Sequence, residues 1–259
     1  MRCFHQRRIM KNRAIEHNKE MQEKYAFQIS KAIKNSEEYG PTIMGDYQMM
    51  LPSNKVEFVL YNTDSVSCLL AHESVGKVAL LNFASYTHQG GGYMKGATAQ
   101  EECLCHESFL YDVLSSHIGF YEWNREHRNN GLYLNRAIYS RGIIFERGEE
   151  KKTCDVLTCA SPNLNEYSCS GVDISMNDLV RTLEDRIKFI KYVCEINGVE
   201  TFIAGAFGCG AFGQDPKTVA SLFHNIFKES QCIKEVVIPI PSGANNRNYN
   251  AFLNEFVAK

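Results

Sequence analysis

Five short stretches of this chain are apolar at nearly every position: "VEFVLY" (56–61), "VALLNFA" (78–84), "DVLTCA" (155–160), "VETFIAGA" (199–206) and "EVVIPIPS" (235–242). A strand that does not alternate must be covered on both faces, which calls for a largely parallel sheet between two outer layers. The intervening segments supply those layers. In "SMNDLVRTLEDRIKFIKYVCEINGVE", Leu179, Leu183, Ile187, Ile190 and Cys194 recur close to a 3.6 period. Ser175 and Asp178 have capping-box spacing and Gly198 is a stop. Further helices are expected over 216–227 and 247–257, so the last quarter reads strand, helix, strand, a parallel crossover. Strands alternating with helices define an α/β layered domain.

The first 38 residues are charged, rich in helix formers and end at Tyr39-Gly40-Pro41. They are expected to form an N-terminal helical extension, 1–55, packing on a core domain, 56–259. "ERGEEKKTC" (146–154) is expected as an exposed loop. The net charge of -2 argues against direct nucleic-acid binding as the main task. No apolar run approaches the roughly 18–20 residues of a membrane span, and no signal-peptide core follows the basic N-terminus, so a cytoplasmic monomer without membrane partners is expected. The ten cysteines include no C-x-x-C pair, and the eight histidines no H-E-x-x-H. Several cysteines lie inside apolar runs, as reduced thiols behaving as small hydrophobes do. Neither metal nor organic cofactor is expected, and His88 reads as a loop residue.

Two glycine-rich loops carry the functional signal. "GAFGCGAFGQDP" (205–216) follows a strand and opens a helix, with Asp215 as N-cap and Pro216 at the first helical position. Its G-x-G-x-x-G (Gly208, Gly210, Gly213) offers free N–H groups for phosphate, or else only a tight turn for close packing. A dinucleotide-binding Rossmann unit is disfavoured, because that fingerprint opens the first βαβ unit and here one strand and one helix remain. The other loop, "SYTHQGGGYMKGATAQEECLC", places Gly90-Gly91-Gly92 seven residues before Gln100-Glu101-Glu102. Thr98 with Glu101 could be a capping box, and the segment to about 118 reads as one helix. Glu102 has no capping duty. Two such corners can converge on one crevice at the carboxyl ends of a sheet.

Gly90-Gly91-Gly92 with Gln100-Glu101-Glu102 resembles the GGG-x(6–8)-QEE signature of poly(ADP-ribose) glycohydrolases. "GAFGCGAFGQDP" resembles their diphosphate loop, while "VALLNFAS" and "CASPNL" (159–164) are similar to the compact bacterial-type branch. The resemblance runs from about Arg13 to the C-terminus. It implies a macrodomain-like three-layer α/β/α sandwich with a mixed, largely parallel sheet and an N-terminal helical extension. It further implies hydrolysis of ribose–ribose O-glycosidic bonds in poly(ADP-ribose), end-directed and releasing ADP-ribose. The alternatives are a mono-ADP-ribosyl hydrolase acting on ADP-ribosylated proteins and a non-catalytic ADP-ribose-binding macrodomain. By position, Glu102 would be the acid/base, needing a raised pKa, and Glu101 would orient substrate or support the loop. Asn82 and Ser85 would lie near the ribose, with Gln100 and the three glycines in the same pocket. Gly208, Cys209, Gly210 and Ala211 would wrap the diphosphate. Phe212 would press on the terminal ribose, although an ordinary core aromatic there remains open. Asn82 and Ser85 stand where some relatives have aspartate and asparagine, and Phe207 where tryptophan is common, so the finer ribose contacts are in question.

Overall fold

The structure, a computed structural model, describes residues 2–42, 54–243 and 246–256. The main-sheet strands are β1 (Glu37–Tyr39), β3 (Glu57–Tyr61), β4 (Val78–Phe83), β5 (Ala137–Arg147), β6 (Glu150–Cys159), β7 (Thr201–Ile203) and β9 (Glu235–Pro239). They lie in the order β1-β5-β6-β4-β7-β9-β3. From β6 to β3 every neighbouring pair is parallel, and β5 and β1 add an antiparallel edge. β2 (Asn54–Lys55) and β8 (Glu229–Ser230) pair separately.

The non-alternating runs are buried on both sides, as their composition demands. Leu80, Val156, Ile203 and Val237 face a core built with α1 (Arg2–Asn35), α2 (Ser65–Ala71), α3 (Gln100–His106), α4 (Leu110–Ser115) and α5 (Ile118–Glu126). Their neighbours Leu81, Leu157, Phe202 and Val236 face the opposite core. That second core is built with α7 (Met176–Ile196), α8 (Pro216–Phe227) and α9 (Arg247–Phe256). The result is the expected three-layer sandwich. Ser175 caps α7 through Asp178 N, and Asp215 caps α8, as their spacing predicts. Among the described residues, no helix is long and apolar enough to cross a membrane.

The structure departs from the sequence reading in several places. The segment 146–154 is not a loop: it forms the facing ends of β5 and β6, with Arg147 opposite Glu150 across a tight turn at Gly148. Of its charges, Glu146 is partnered by α1 through Lys24 and the Tyr25 hydroxyl, and Arg147 pairs with Asp64 and Glu107. β5 itself escaped notice because a bulge between Ser140 and Ile143, with Gly142 at φ 71, interrupts its pattern. Tyr39 ends β1 and so belongs to the sheet, after a helix that stops at Asn35. The single helix expected over 98–118 is broken. Ser108 bridges to Phe145, and Glu146 N donates to Glu107 O, which pulls the chain toward β5 between α3 and α4.

Candidate active site

β4 and β7 are adjacent and parallel, so their carboxyl ends deliver the two glycine loops side by side. Between them lies a cavity of about 730 Å³, within the usual range for small-molecule sites. It is also reached by the segments that follow β3, β6 and β9: Asp64 to Val66, Ser161, and Pro239 to Pro241. Of the residues singled out from sequence, Ser85, Gly91, Gly92, Gln100, Glu101, Glu102, Gly208, Gly210, Ala211 and Phe212 line it. Asn82, Gly90 and Cys209 do not. Asn82 is wholly buried beneath Glu101, and Cys209 packs its side chain against the core. His88, expected only as a loop residue, is at the rim.

Glu101 and Glu102 open α3, yet neither serves as its cap. The N-cap is Ala99 and receives no side-chain hydrogen bond, so the Thr98–Glu101 capping box does not form. Glu101 turns back into the protein. Its Oε2 accepts from Ser85 N at 2.7 Å and its Oε1 from Asn82 Nδ2 at 3.2 Å. Burial pushes its carboxyl up to about 8, with the neighbouring Glu102 charge adding to the rise and the Ser85, Asn82 and Gly90 hydrogen bonds opposing it. Burial therefore makes Glu101 hold a proton more tightly than an exposed carboxyl does.

Glu102 is held differently. Its Oε1 accepts from Gly92 N at 2.7 Å, while its buried Oε2 has no hydrogen-bond partner among the described residues. Glycine at 91 is what allows this approach. The residue sits at φ 59, and a Cβ there would fall 2.6 Å from Glu102 Oε1 and 2.8 Å from Glu101 Oε2. Gln100 staples loop to sheet: its Oε1 accepts from Phe83 N at 2.9 Å and its Nε2 donates to Leu81 O at 2.9 Å. Tyr93 is fully buried against α1, away from the cavity.

In the second loop it is the backbone that counts. Asn165 Nδ2 donates to Ala211 O at 2.7 Å, and Leu164 N donates to Phe212 O at 2.9 Å. Peptides are planar and trans, so an outward Ala211 carbonyl turns the Phe212 N–H the opposite way. The amides of Gly208, Gly210, Ala211 and Phe212 have no acceptor among the described residues. Such a set of N–H groups is an anion nest. In the first loop the Gly91, Gly92 and Tyr93 amides are already used, by His88 O, Glu102 and Gly90 O. The loop at 208–212 is therefore the one left to take an anion. The free N-terminus of α8, which the sequence offered for phosphate, is occupied by its own cap: Asp215 accepts from Thr218 N and is paired with Arg247.

The segment 161–165 is the support that sequence reasoning quoted without assigning a role. Ser161 sits behind Gly208, where any Cβ would overlap its hydroxyl, and Gln214 Nε2 donates to Pro162 O at 2.7 Å. The buried Arg186 guanidinium donates to Ala160 O and Asn135 Oδ1 just behind it. Phe212 lines the cavity and packs against Tyr133, Tyr86 and Ala160, so it is neither free nor part of the main core. Phe207 is wholly buried between Phe83 and Phe223.

A layered mixed sheet with paired glycine loops over two buried acids defines a macrodomain-type pocket, and comparison with known proteins narrows it. The chain belongs to the family of microbial-type PARG catalytic domains, whose model matches residues 5–148. Among solved structures, it is similar to the poly(ADP-ribose) glycohydrolase of Thermomonospora curvata bound to the inhibitor ADP-HPD. The two are 26% identical with a TM-score of 0.84, over 97% of this chain and 100% of that one. The Deinococcus radiodurans enzyme in complex with ADP-ribose shares the fold at 23% identity and a TM-score of 0.79, over 89% of this chain and 97% of that one. No curated protein sequence matches the chain.

Proposed function

We propose that this protein hydrolyses the ribose–ribose O-glycosidic bonds of poly(ADP-ribose), with Glu102 as both acid and base and ADP-ribose as product. The observation that carries this is that Glu102, whose buried Oε2 has no partner among the described residues, lines the same cavity as the free amides at 208–212. The nest suits the diphosphate of the unit being released, and Phe212 suits the sugar next to it. Most glycosidases use two carboxylates flanking the bond. Here both Glu101 and Glu102 line the cavity, but both Glu101 oxygens are engaged by Ser85 and Asn82, which leaves Glu102 as the acid with an unpartnered oxygen. Entering the cycle as the carboxylic acid, Glu102 would give its proton to the departing ribose oxygen as the C–O bond breaks. The carboxylate so formed would then take a proton from the water that attacks the oxocarbenium-like centre, which restores the acid. Membership of the family and the likeness to glycohydrolases that bind ADP-HPD support this reading.

The test is incubation with poly(ADP-ribose), wild type against Glu102→Gln, with the products separated by length. Release of ADP-ribose by the wild type alone is expected. Cleavage confined to single ADP-ribosyl groups on proteins would favour the mono-ADP-ribosyl hydrolase, and binding without turnover a reader.

A further inference from the structure

Residues 2–15 contain five Lys or Arg and no Asp or Glu. They form the start of α1, the end of a helix where the backbone dipole favours negative charge. Lys11 also stands three residues from Arg8 and four from Arg7, where like charges repel. All three, and Arg13, are exposed, and no carboxylate among the described residues lies within ion-pairing distance of them. Further along the same helix Lys19 pairs with Glu23 and Lys24 with Glu146. The basic end breaks a local rule that the rest of the helix obeys, and such breaks mark function.

Its location gives the break a purpose. α1 packs on the turn Tyr93–Lys95 that follows the triple glycine, with the Tyr93 hydroxyl 3.0 Å from Asn18 Oδ1. At Gly96 (φ 77) the chain lies so close to Arg7 that a Cβ would overlap its carbonyl. The basic turns of α1 therefore adjoin Lys95, which lines the cavity along with Gly92 and Glu102. Positive charge continues past the rim. Arg125 donates to Thr87 O, and the His88 imidazole is held down first by burial and then by Lys95, Arg125 and Arg128.

This arrangement has a consequence that rests on the glycohydrolase reading. If Glu102 protonates the leaving ribose oxygen, the rest of the polymer departs on the side of Glu102 and the triple glycine. The diphosphate of the released unit sits instead at 208–212. Every remaining repeat carries a diphosphate of its own. We infer that Arg7, Arg8 and Lys11, continuing from Lys95, form a polyanion track that holds the outgoing poly(ADP-ribose) chain beyond the cleaved bond.

The test is binding and turnover of long poly(ADP-ribose) against its two-unit fragment, over a range of salt. The variant is Arg7→Glu, Arg8→Glu, Lys11→Glu. Expected are a KM for long chains raised roughly ten-fold in the variant, an unchanged kcat, and unchanged kinetics on the two-unit fragment. In the wild type, salt should weaken long-chain binding more steeply than fragment binding, and the variant should lose that difference. Equal salt dependence for both substrates in the wild type overturns the track, and this measurement holds even if the variant does not fold. Binding is also measured in a Glu102→Gln background, so the inference is decided separately from catalysis. A wild type that binds the polymer without cleaving it sinks the glycohydrolase reading, while the affinities with and without the three charge reversals still decide the track. Single-stranded DNA of equal charge binding as tightly, with the same loss in the variant, would make the patch a nucleic-acid contact and overturn the assignment.

Discussion

The Gly92 amide donates to Glu102 Oε1 at 2.7 Å, across ten residues of chain, and leaves the buried Oε2 without a partner among the described residues. This one hydrogen bond ties the glycine loop to the first turn of α3 and fixes which carboxylate oxygen is left unpartnered. It also explains the glycine at 91, where the main chain comes within contact distance of two carboxylates, while a Cβ at Gly90 would meet Tyr111 and one at Gly92 would meet Ala97.

Glu102→Gln should keep the fold and the Gly92 hydrogen bond through its amide oxygen, while losing the proton that moves. General acid–base catalysis is typically worth ~10²–10⁴-fold, and the variant should lose at least that in kcat. Calorimetric titration with ADP-ribose should show near-normal affinity. Ordinary turnover by a folded Glu102→Gln protein would falsify the assignment.

Gly91→Ala should damage catalysis by displacement. A Cβ 2.6 Å from Glu102 Oε1 and 2.8 Å from Glu101 Oε2 has to push one of them aside. The left-handed backbone adds about 1–2 kcal/mol of strain. Activity should fall about 10²-fold or more with a smaller loss in thermal stability. A variant that melts lower but turns over normally would show that the loop does not need this geometry.

Stability should fall as pH rises through the window set by Glu101. Its carboxyl titrates near 4.5 in a model chain and at about 8 in the fold, raised first by burial. Below pH 4.5 both states are protonated and the folded state bears no penalty. Between 4.5 and 8 the unfolded chain releases a proton that the fold retains, so stability is progressively lost. Glu101→Gln should flatten this slope in melts taken from pH 4.5 to 8, even though it weakens the hydrogen bonds from Ser85 and Asn82. An unchanged slope would mean that Glu101 ionises freely in the fold.

Asn165→Ala should weaken ligand binding from outside the cavity. Asn165 holds the Ala211 carbonyl outward and so aims the Phe212 amide inward. Loss of one such hydrogen bond is worth about 1 kcal/mol, or roughly a five-fold rise in Kd for ADP-ribose, with kcat little changed. Calorimetry on the folded variant checks this, and an unaltered Kd would leave the loop's own turns as its sole support.

The two-sided apolar runs fixed the layered sheet in advance, because a strand with no polar face can exist only when covered twice. The caps at Ser175 and Asp215 were equally legible, since capping is settled within one turn of chain. The glycine loops and the acid pair could be read as a signature. What local sequence could not decide was which acid is held on both oxygens by the protein and which keeps an unpartnered oxygen. Glu101 and Glu102 differ by one position on a helix, and burial beneath Ser85 and Asn82 separates their chemistry. The resemblance placed the diphosphate at 208–211, but local spacing could not separate that loop from the start of α8, because Asn165 and Arg247 reach those sites from distant segments. The hairpin at β5 and β6 was hidden for the same reason: its charged tip is stabilised by α1, more than a hundred residues earlier, and no short window contains both.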